Sequence, residues 1–194
     1  MNQSNAAGPG SKKKWVPYLF RGILGTVIAA TLTQQMIAPP EKGSNFPMYM
    51  GFYFLMNGVL SFKMARSAPE KERGDSVFAA IASIIGGLLI IVTFPFSAYR
   101  ETGIALEIGR YFYGAIVIVI GILQLLGTVH ISPEPIVKQA HYLFGFLEVV
   151  LGLVVAAIPI DWETNAIAFV WVVLVAIYTF FLAYRLRTGL NPNS

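Results

Sequence analysis

One stretch decides how this sequence is interpreted: Phe20-Arg21-Gly22-Ile23-Leu24-Gly25. It lies within the first long apolar segment, which begins after the three lysines at positions 12–14 and runs to about Met36. An arginine at the centre of a bilayer costs roughly 2.5–3.5 kcal/mol on insertion scales, so a membrane helix retains one only where other groups stabilise it. The rest of the chain must therefore supply either a partner for Arg21 or a path for its side chain to the membrane surface.

The composition is that of a membrane protein. Only 12% of the 194 residues are charged and 56% are hydrophobic, whereas a soluble domain carries about 25% charged residues. Several apolar runs have the length of about 20 residues that crosses a hydrocarbon core of about 30 Å. The net charge of +4 arises from lysines and arginines that cluster at the ends of these runs, so it indicates membrane topology and contacts with anionic lipid, with no nucleic-acid partner expected.

The chain divides into six predicted transmembrane helices and two tails. Residues 1–14 are predicted to form a disordered cytoplasmic tail, residues 15–187 a single membrane domain, and residues 188–194 a second cytoplasmic tail. The predicted helices cover about 15–36, 47–65, 76–95, 105–128, 138–158 and 165–184, and the most polar connection runs from Lys63 to Asp75. Aromatic residues lie near the predicted span ends, as in an aromatic belt at the membrane surface: Trp15, Tyr18, Trp162 and Tyr184.

The distribution of basic residues predicts the orientation. Ten lysines and arginines fall on the side of the predicted termini, three fall on the other side, and Arg21 lies within the membrane. Because cytoplasmic loops carry the excess of Lys and Arg, both termini are predicted to be cytoplasmic. The sequence therefore predicts a multi-pass protein of the inner (plasma) membrane.

An internal repeat organises the six helices. The even-numbered helices each carry two small residues seven positions apart, and the first members of these pairs are 63 and 62 residues apart: Gly51/Gly58, Gly114/Gly121 and Ala176/Ala183. Each odd-numbered helix is predicted to end at a proline, at Pro39, Pro95 and Pro159. A fixed period indicates a repeat protein. Because each unit holds two helices, three parallel repeats at about 15–66, 76–129 and 138–187 are predicted, with pseudo-threefold symmetry about the membrane normal.

Small residues four positions apart predict where helix backbones approach each other closely. Three such stripes occur, one on each odd-numbered helix: Gly22-Thr26-Ala30, Ala79-Ser83-Gly87 and Gly152-Ala156.

Three motifs resemble the HdeD-like family of bacterial membrane proteins, which is built from three tandem hairpin repeats. They are Arg21-Gly22-Ile23-Leu24, the run from Met50 to Leu60, and the run from Tyr113 to Gln124. The resemblance covers about residues 15–188, although Asn57 stands where the family often has an acid and the third repeat has alanine in place of glycine. It implies a six-helix fold, no catalytic activity, and a link to acid resistance or another stress response.

The repeat also supplies a candidate partner for Arg21. About one period further along the chain lies Ser83, and two periods further lies a position near Glu148, so these residues occupy roughly equivalent positions. Arg21 and Glu148 are the two deepest charges in the predicted membrane domain, and they have opposite signs. We therefore hypothesise a buried ion pair between them. The alternatives are that Arg21 extends to the headgroups and that Glu148 is protonated or faces a water pocket.

A second hypothesis for these polar residues is a proton relay. Glu148 is the candidate proton carrier, and His141 lies two helical turns before it on roughly the same face. Tyr142 and Asn57 could extend this line. The alternative is that His141, near a helix end, is an ordinary interfacial residue.

The remaining intramembrane polar residues have simpler interpretations. Glu107 and Arg110 are three positions apart and are expected to pair locally at the outer end of the fourth helix. Asn57 and Gln124 are expected to form hydrogen bonds between helices.

These observations favour a protein without enzymatic activity. The chain has no cysteine and two histidines, and it contains no phosphate-binding glycine loop, metal-ligand cluster or catalytic triad, so no cofactor or metal is expected. One candidate function is a non-enzymatic structural or interaction protein, and the other is a small proton-coupled transporter or channel with a polar path through Glu148. Membrane lipids are the expected partners, with a second copy of the chain or another membrane protein as further candidates.

Overall fold

The computed structural model describes residues 15–37, 45–66, 70–98, 103–128, 135–158 and 162–188. These ranges contain six helices: α1 (Val16–Ile37), α2 (Phe46–Arg66), α3 (Glu70–Ala98), α4 (Gly103–Thr128), α5 (Pro135–Ala157) and α6 (Trp162–Thr188). No strand occurs within the described ranges. The predicted all-α fold of six helices is therefore confirmed, and the tails at 1–14 and 189–194 lie outside the described residues.

One helix differs clearly from its predicted bounds. α3 begins at Glu70, so part of the predicted connection from Lys63 to Asp75 is helical. The run Glu70-Lys71-Glu72-Arg73 consists of good helix formers, which extend the helix beyond its apolar part. α3 also continues past Pro95 to Ala98, so the prediction that this helix ends at its proline is wrong. Pro95 removes one backbone hydrogen bond and crowds the carbonyl four residues earlier, so it weakens the last turn of α3 without ending the helix at that position.

The other two prolines fit the expected helix ends. α1 ends at Ile37 and α5 ends at Ala157. Pro39 and Pro159 follow these ends by two residues and lie outside the described residues.

Most of the helices have the length and composition of membrane spans. Four segments are long and apolar enough to cross a bilayer: Val16–Ile37, Val77–Phe94, Lys138–Ala157 and Asn165–Thr188. Within the described part of α4, Arg110–Leu126 forms a shorter apolar helix. Large apolar side chains such as Phe20, Ile85 and Phe146 are exposed on the outside of the bundle, as expected where lipid is the solvent. The protein is therefore a membrane-embedded helical protein.

The helices pack most closely in three pairs that form across the predicted repeat boundaries. These pairs are α2 with α3, α4 with α5, and α6 with α1. Within the predicted repeats, α3 packs less closely against α4, and α1 with α2 and α5 with α6 pack least closely. In each close pair, a small residue of the even-numbered helix meets a glycine of the odd-numbered helix: Gly51 with Gly87, Gly114 with Gly152, and Ala176 with Gly25. The predicted small residues therefore mark real helix contacts, but they join helices that were assigned to different predicted repeats.

Glycine is required at the centre of the α2–α3 contact. A Cβ added at Gly87 would lie 2.5 Å from Leu55 N and 2.6 Å from Gly51 O. Both distances are shorter than real Cβ contacts, and the contacted atoms belong to the backbone of α2, so they cannot move aside independently. Close backbone approach of this kind provides the van der Waals contact that associates helices in lipid.

The small-residue stripe predicted on α1 is only partly correct. Gly22 and Gly25 are buried against α6, where a Cβ at Gly22 would lie 2.8 Å from the Phe180 ring. Thr26 and Ala30 are exposed. The packed face of α1 instead continues from Gly25 through Ile28 to Leu32, because successive buried positions follow a mixed three- and four-residue spacing.

Candidate functional site

One end of the bundle, called the basic end below, is where α1, α3 and α5 begin and α2, α4 and α6 end. Its described cationic side chains are Lys63, Arg66, Lys138, Arg185 and Arg187. Three guanidinium groups there lie over aromatic rings, at 5.5 Å for Arg66 on Phe62, 5.4 Å for Arg185 on Phe181 and 5.5 Å for Arg187 on Trp15. Such pairs combine an aromatic ring with a charged group, as is typical of residues at a membrane surface.

Arg21 is buried inside the bundle, on the second turn of α1 from the basic end. Only 2% of the residue is exposed, so its side chain does not extend to the membrane surface. Its Nη2 donates a hydrogen bond to Ser61 Oγ near the end of α2, and its guanidinium carbon lies 5.7 Å from the centre of the Tyr18 ring. Arg21 Nε is buried without a hydrogen-bond partner. The charge is therefore held by α1 and α2 but is only partly satisfied.

Glu148 is the buried carboxyl group of the same region. It lies on α5, is 1% exposed, and interacts electrostatically with Arg21. Its Oε2 has no hydrogen-bond partner. Within the described structure the two side chains make neither a hydrogen bond nor a direct ion pair, because Arg21 is directed to Ser61. The structure thus brings the two hypothesised partners into one buried cluster without joining them directly.

A row of polar side chains on α2 lies close to both Arg21 and Glu148. Tyr53, Asn57 and Ser61 follow one another at four-residue spacing, so they share one face of the helix. Tyr53 lies close enough to interact electrostatically with both Glu148 and Arg21. Asn57, between Tyr53 and Ser61, is buried with its Oδ1 unpaired. The Tyr53 ring also packs edge-on against Trp171 of α6 at 5.0 Å, and Trp171 Nε1 is a further buried donor without a partner.

A tyrosine–histidine pair lies on the side of this cluster facing the basic end. The Tyr18 hydroxyl and His141 Nε2 are 3.3 Å apart, and their rings meet edge to face at 6.2 Å. Both residues are buried. Tyr142 was a candidate extension of the hypothesised proton relay, but that residue is exposed on another face of α5. We refer to Tyr18, Arg21, Tyr53, Asn57, Ser61, His141, Glu148 and Trp171 as the polar cluster.

An apolar layer lies next to the polar cluster on the side away from the basic end, with the buried polar residues Gln35 and Asn165 farther toward the opposite end. A cavity of about 10 Å³ lies there, between the first turns of α2 and the last turns of α5. Its walls are made by Pro47, Met50, Ile90, Tyr113, Val117, Leu151 and Val155. On α5, Leu151 lies one turn beyond Glu148 and Val155 two turns beyond it. The polar cluster therefore adjoins an apolar layer on the side away from the basic end.

The other predicted site residues lie apart from any charge pair. Ser83, the repeat equivalent of Arg21, is buried, and its Oγ donates to Ala79 O at 3.0 Å within α3. Arg110 lies 4.9 Å from the centre of the Tyr111 ring, and its Nη2 donates to the Tyr111 hydroxyl at 3.2 Å. The predicted pairing of Arg110 with Glu107 concerns a side chain outside the described residues. Gln124 is buried on α4.

Four members of the polar cluster were not predicted as site residues: Tyr18, Tyr53, Ser61 and Trp171. Tyr18 was expected to face the headgroups in an aromatic belt, and this is wrong, since it is 4% exposed and contacts His141. The four-residue spacing of Tyr53, Asn57 and Ser61 is a signal in the sequence that identifies a polar helix face. Trp171 carries no such signal, because its neighbours on α6 are apolar.

The fold and the site together define a membrane-embedded bundle of six helices with a charged cluster buried in its core. The model of the family described as "Short repeat of unknown function (DUF308)" matches this chain twice, at residues 20–92 and 102–157. The chain belongs to that family, in agreement with its resemblance to HdeD-like proteins and with the tandem repeats. No curated protein and no solved structure matches the chain.

Proposed function

We propose that this chain is a non-enzymatic integral membrane protein of the HdeD-like type, in which the polar cluster holds neighbouring repeats together. The observation that carries the proposal is the burial of a guanidinium group, Arg21, and a carboxyl group, Glu148, in a core that is otherwise largely apolar. Each charge interacts with the other across the bundle. Removing one partner of a buried pair leaves an uncompensated charge, at a cost of about 3–5 kcal/mol. The cluster therefore favours the arrangement in which α1, α2 and α5 are assembled.

A double-mutant cycle tests this structural role. Arg21→Ala and Glu148→Ala should each lower the free energy of unfolding by about 3–5 kcal/mol, because each leaves one charge buried and alone. The double variant should lose much less than the sum of the two, measured as unfolding in detergent or lipid.

A control cycle pairs Glu148→Ala with Arg110→Ala. Arg110 lies in the half of α4 away from the basic end, so these two changes should be additive. Additive effects of Arg21→Ala and Glu148→Ala would overturn the structural role of the cluster.

In the cell, we propose that the protein acts in the plasma membrane as an interaction module during acid or another stress. Its partners are membrane lipids and either a second copy or another membrane protein. The family resemblance supports this role. A strain that lacks the gene should survive an acid shift less well than its parent, and the wild-type gene should restore survival. Equal survival of deletion and parent strains would contradict a role in acid resistance.

The proposed orientation has both termini in the cytoplasm, and the bias of Lys and Arg supports it. Because the chain has no native cysteine, Ser4→Cys and Ser194→Cys give single labelling sites. A membrane-impermeant thiol reagent should modify neither site in intact cells and both after permeabilisation. Labelling in intact cells would reverse the orientation.

A small proton-coupled transporter or channel is the second candidate function. The observation in its favour is that Glu148 Oε2 and Asn57 Oδ1 are buried and unpaired. The apolar layer around Leu151 and Val155 is an obstacle to a continuous polar path. Proteoliposomes with an internal pH dye distinguish the two functions. A proton flux that Glu148→Gln abolishes would favour transport, whereas flux equal to that of protein-free liposomes would favour the structural role.

A further inference from the structure

The polar cluster contains four buried polar atoms without a hydrogen-bond partner: Arg21 Nε, Asn57 Oδ1, Glu148 Oε2 and Trp171 Nε1. Two are donors and two are acceptors. Each buried polar group left unpaired costs about 1–3 kcal/mol. Four such atoms in one region therefore indicate that the cluster binds something polar.

Contacts between the side chains place these atoms in one neighbourhood. Arg21 and Glu148 interact electrostatically, and Tyr53 interacts with both. The Tyr53 ring packs at 5.0 Å against Trp171. Asn57 lies one helical turn from Tyr53 and one turn from Ser61, the partner of Arg21. The unpaired groups therefore converge from four helices, α1, α2, α5 and α6.

The chemistry of the four atoms selects a neutral guest. The guanidinium group of Arg21 disfavours a cation beside it, and the unpaired acceptor oxygens of Asn57 and Glu148 disfavour an anion. Among the described residues, no group of three His, Cys, Asp or Glu side chains is placed to hold a metal ion. A small molecule that both donates and accepts hydrogen bonds matches two donors and two acceptors, and water has these properties. Buried waters typically make about 3 hydrogen bonds to polar groups of this kind.

The polar cluster has different neighbours toward the two ends of the bundle. Toward the basic end lies the polar Tyr18–His141 pair, joined at 3.3 Å. Toward the opposite end lies the apolar layer that contains Leu151 and Val155. An apolar layer of this kind stays dry. The polar groups of Tyr18 and His141 therefore favour exchange with solvent on the side of the basic end.

We propose that the polar cluster is a water-binding site in which water bridges Arg21 to Glu148 and exchanges with solvent at the basic end alone. This rests on the proposed function, because the bridging water transmits the coupling by which the cluster holds the repeats together. It also explains how two opposite charges stabilise one core without touching.

Hydroxyl-radical footprinting of the full-length protein in lipid nanodiscs tests whether water is bound in the polar cluster. X-ray pulses convert bound water into radicals that oxidise adjacent side chains, and mass spectrometry measures the rate at each residue. The chain offers a matched pair of buried tyrosines, Tyr53 in the cluster and Tyr113 in the apolar layer, which are 2% and 4% exposed. Tyr53 should be oxidised several-fold faster than Tyr113, and Glu148→Met should abolish the difference. Equal rates in the wild-type protein would overturn the water site.

A single cysteine tests the direction of exchange. Ser61→Cys places a thiol at the partner of Arg21 with little change in volume, and Leu151→Cys places one in the apolar layer. In vesicles of each orientation, an impermeant methanethiosulfonate reagent should modify position 61 only from the basic end and position 151 from neither end. Modification of position 61 from the opposite end, or from neither end, would overturn the proposed exchange.

The outcomes separate this inference from the structural role. A coupled Arg21–Glu148 cycle with a protected Tyr53 would retain the structural role and overturn the water site. An additive cycle with a rapidly oxidised Tyr53 would overturn the structural role while leaving the bound water in place.

Discussion

The half of the core near the basic end and the half beyond Glu148 are built from the same helices but from different side chains. On α5 the inward positions change from His141 and Glu148 to Leu151 and Val155 within four turns. On α2 the order is reversed, from Met50 through Asn57 to Ser61, because this helix runs the other way. The close helix contacts continue through both halves, so the packing scaffold does not determine where the charges lie.

This difference separates two sources of stability. In the apolar layer, helices associate through close packing, as at Gly114 with Gly152. In the polar half, the same contacts are supplemented by charges whose burial is favourable only when the helices that carry their partners are in place. Variants that change side chains in one half therefore measure what that half contributes to the free energy of unfolding.

The largest effect is expected when a charge is placed in the apolar half. Val155→Glu puts a carboxylate beside the apolar cavity, away from Arg21, and an unpaired buried charge should cost more than about 5 kcal/mol. The variant should fail to give a single folded species in size-exclusion chromatography. Val155→Met, which adds volume without charge, is the control and should remain folded. A folded Val155→Glu protein would show that the two halves are equally tolerant of charge.

A cavity in the apolar half should have the next largest effect. Leu151→Ala enlarges the cavity at a buried position and should cost about 2–5 kcal/mol in the free energy of unfolding. Leu153→Ala removes the same atoms from the exposed surface of the same helix and should cost much less. Equal losses for the two variants would mean that this half is loosely packed.

The third largest effect is expected from loss of the hydrogen bond between Arg21 and Ser61. Ser61→Ala removes the acceptor of Arg21 Nη2, and hydrogen bonds to charged groups contribute about 1.5–3 kcal/mol. Ser83→Ala is the matched control, because that hydroxyl bonds only to Ala79 O within its own helix. Unfolding measurements in the same lipid compare the two. A larger loss for Ser83→Ala would argue against Arg21 as the centre of the cluster.

The smallest effect is expected at the edge of the polar half. Tyr18→Phe removes the hydroxyl that contacts His141 Nε2 and should cost about 0.5–1.5 kcal/mol. Tyr184→Phe, at an exposed position, should leave stability unchanged. A loss for Tyr18→Phe as large as that for Ser61→Ala would extend the essential part of the cluster to the basic end.

The number of helices and the presence of a tandem repeat followed from the sequence because the signals are strong and local. Apolar runs of membrane length specify the helices, and small residues at a fixed period specify the contacts. The partners of those contacts were less predictable. A glycine shows that something approaches closely, but Gly87 carries no information that the neighbour is α2 of the preceding repeat. The bounds of α3 also differed, because a charged run such as 70–73 suits both a loop and a helix beyond the membrane.

The ionisable residues of the candidate site could be identified from the sequence, whereas the contacts that they make could not. Arg21 and Glu148 stand out because ionisable residues are rare in membrane helices, and the repeat assigned them equivalent positions. The hydrogen bond from Arg21 to Ser61 was not foreseen, because serine is common in apolar helices and its role depends on which helix lies opposite. Trp171 was missed for the same reason, since aromatic residues within an apolar run usually indicate only packing.

The pairing of α6 with α1 makes the bundle a closed cycle of helices. At the basic end, Arg187 of the last helix lies over the ring of Trp15 beside the first helix, at 5.5 Å. The first and last described helices are therefore neighbours, so a short linker could join them while new termini were opened between two other helices. Such circular permutation is tolerated where chain ends are close together. The same packing would therefore be kept if the described helices followed one another in the chain from a different starting helix.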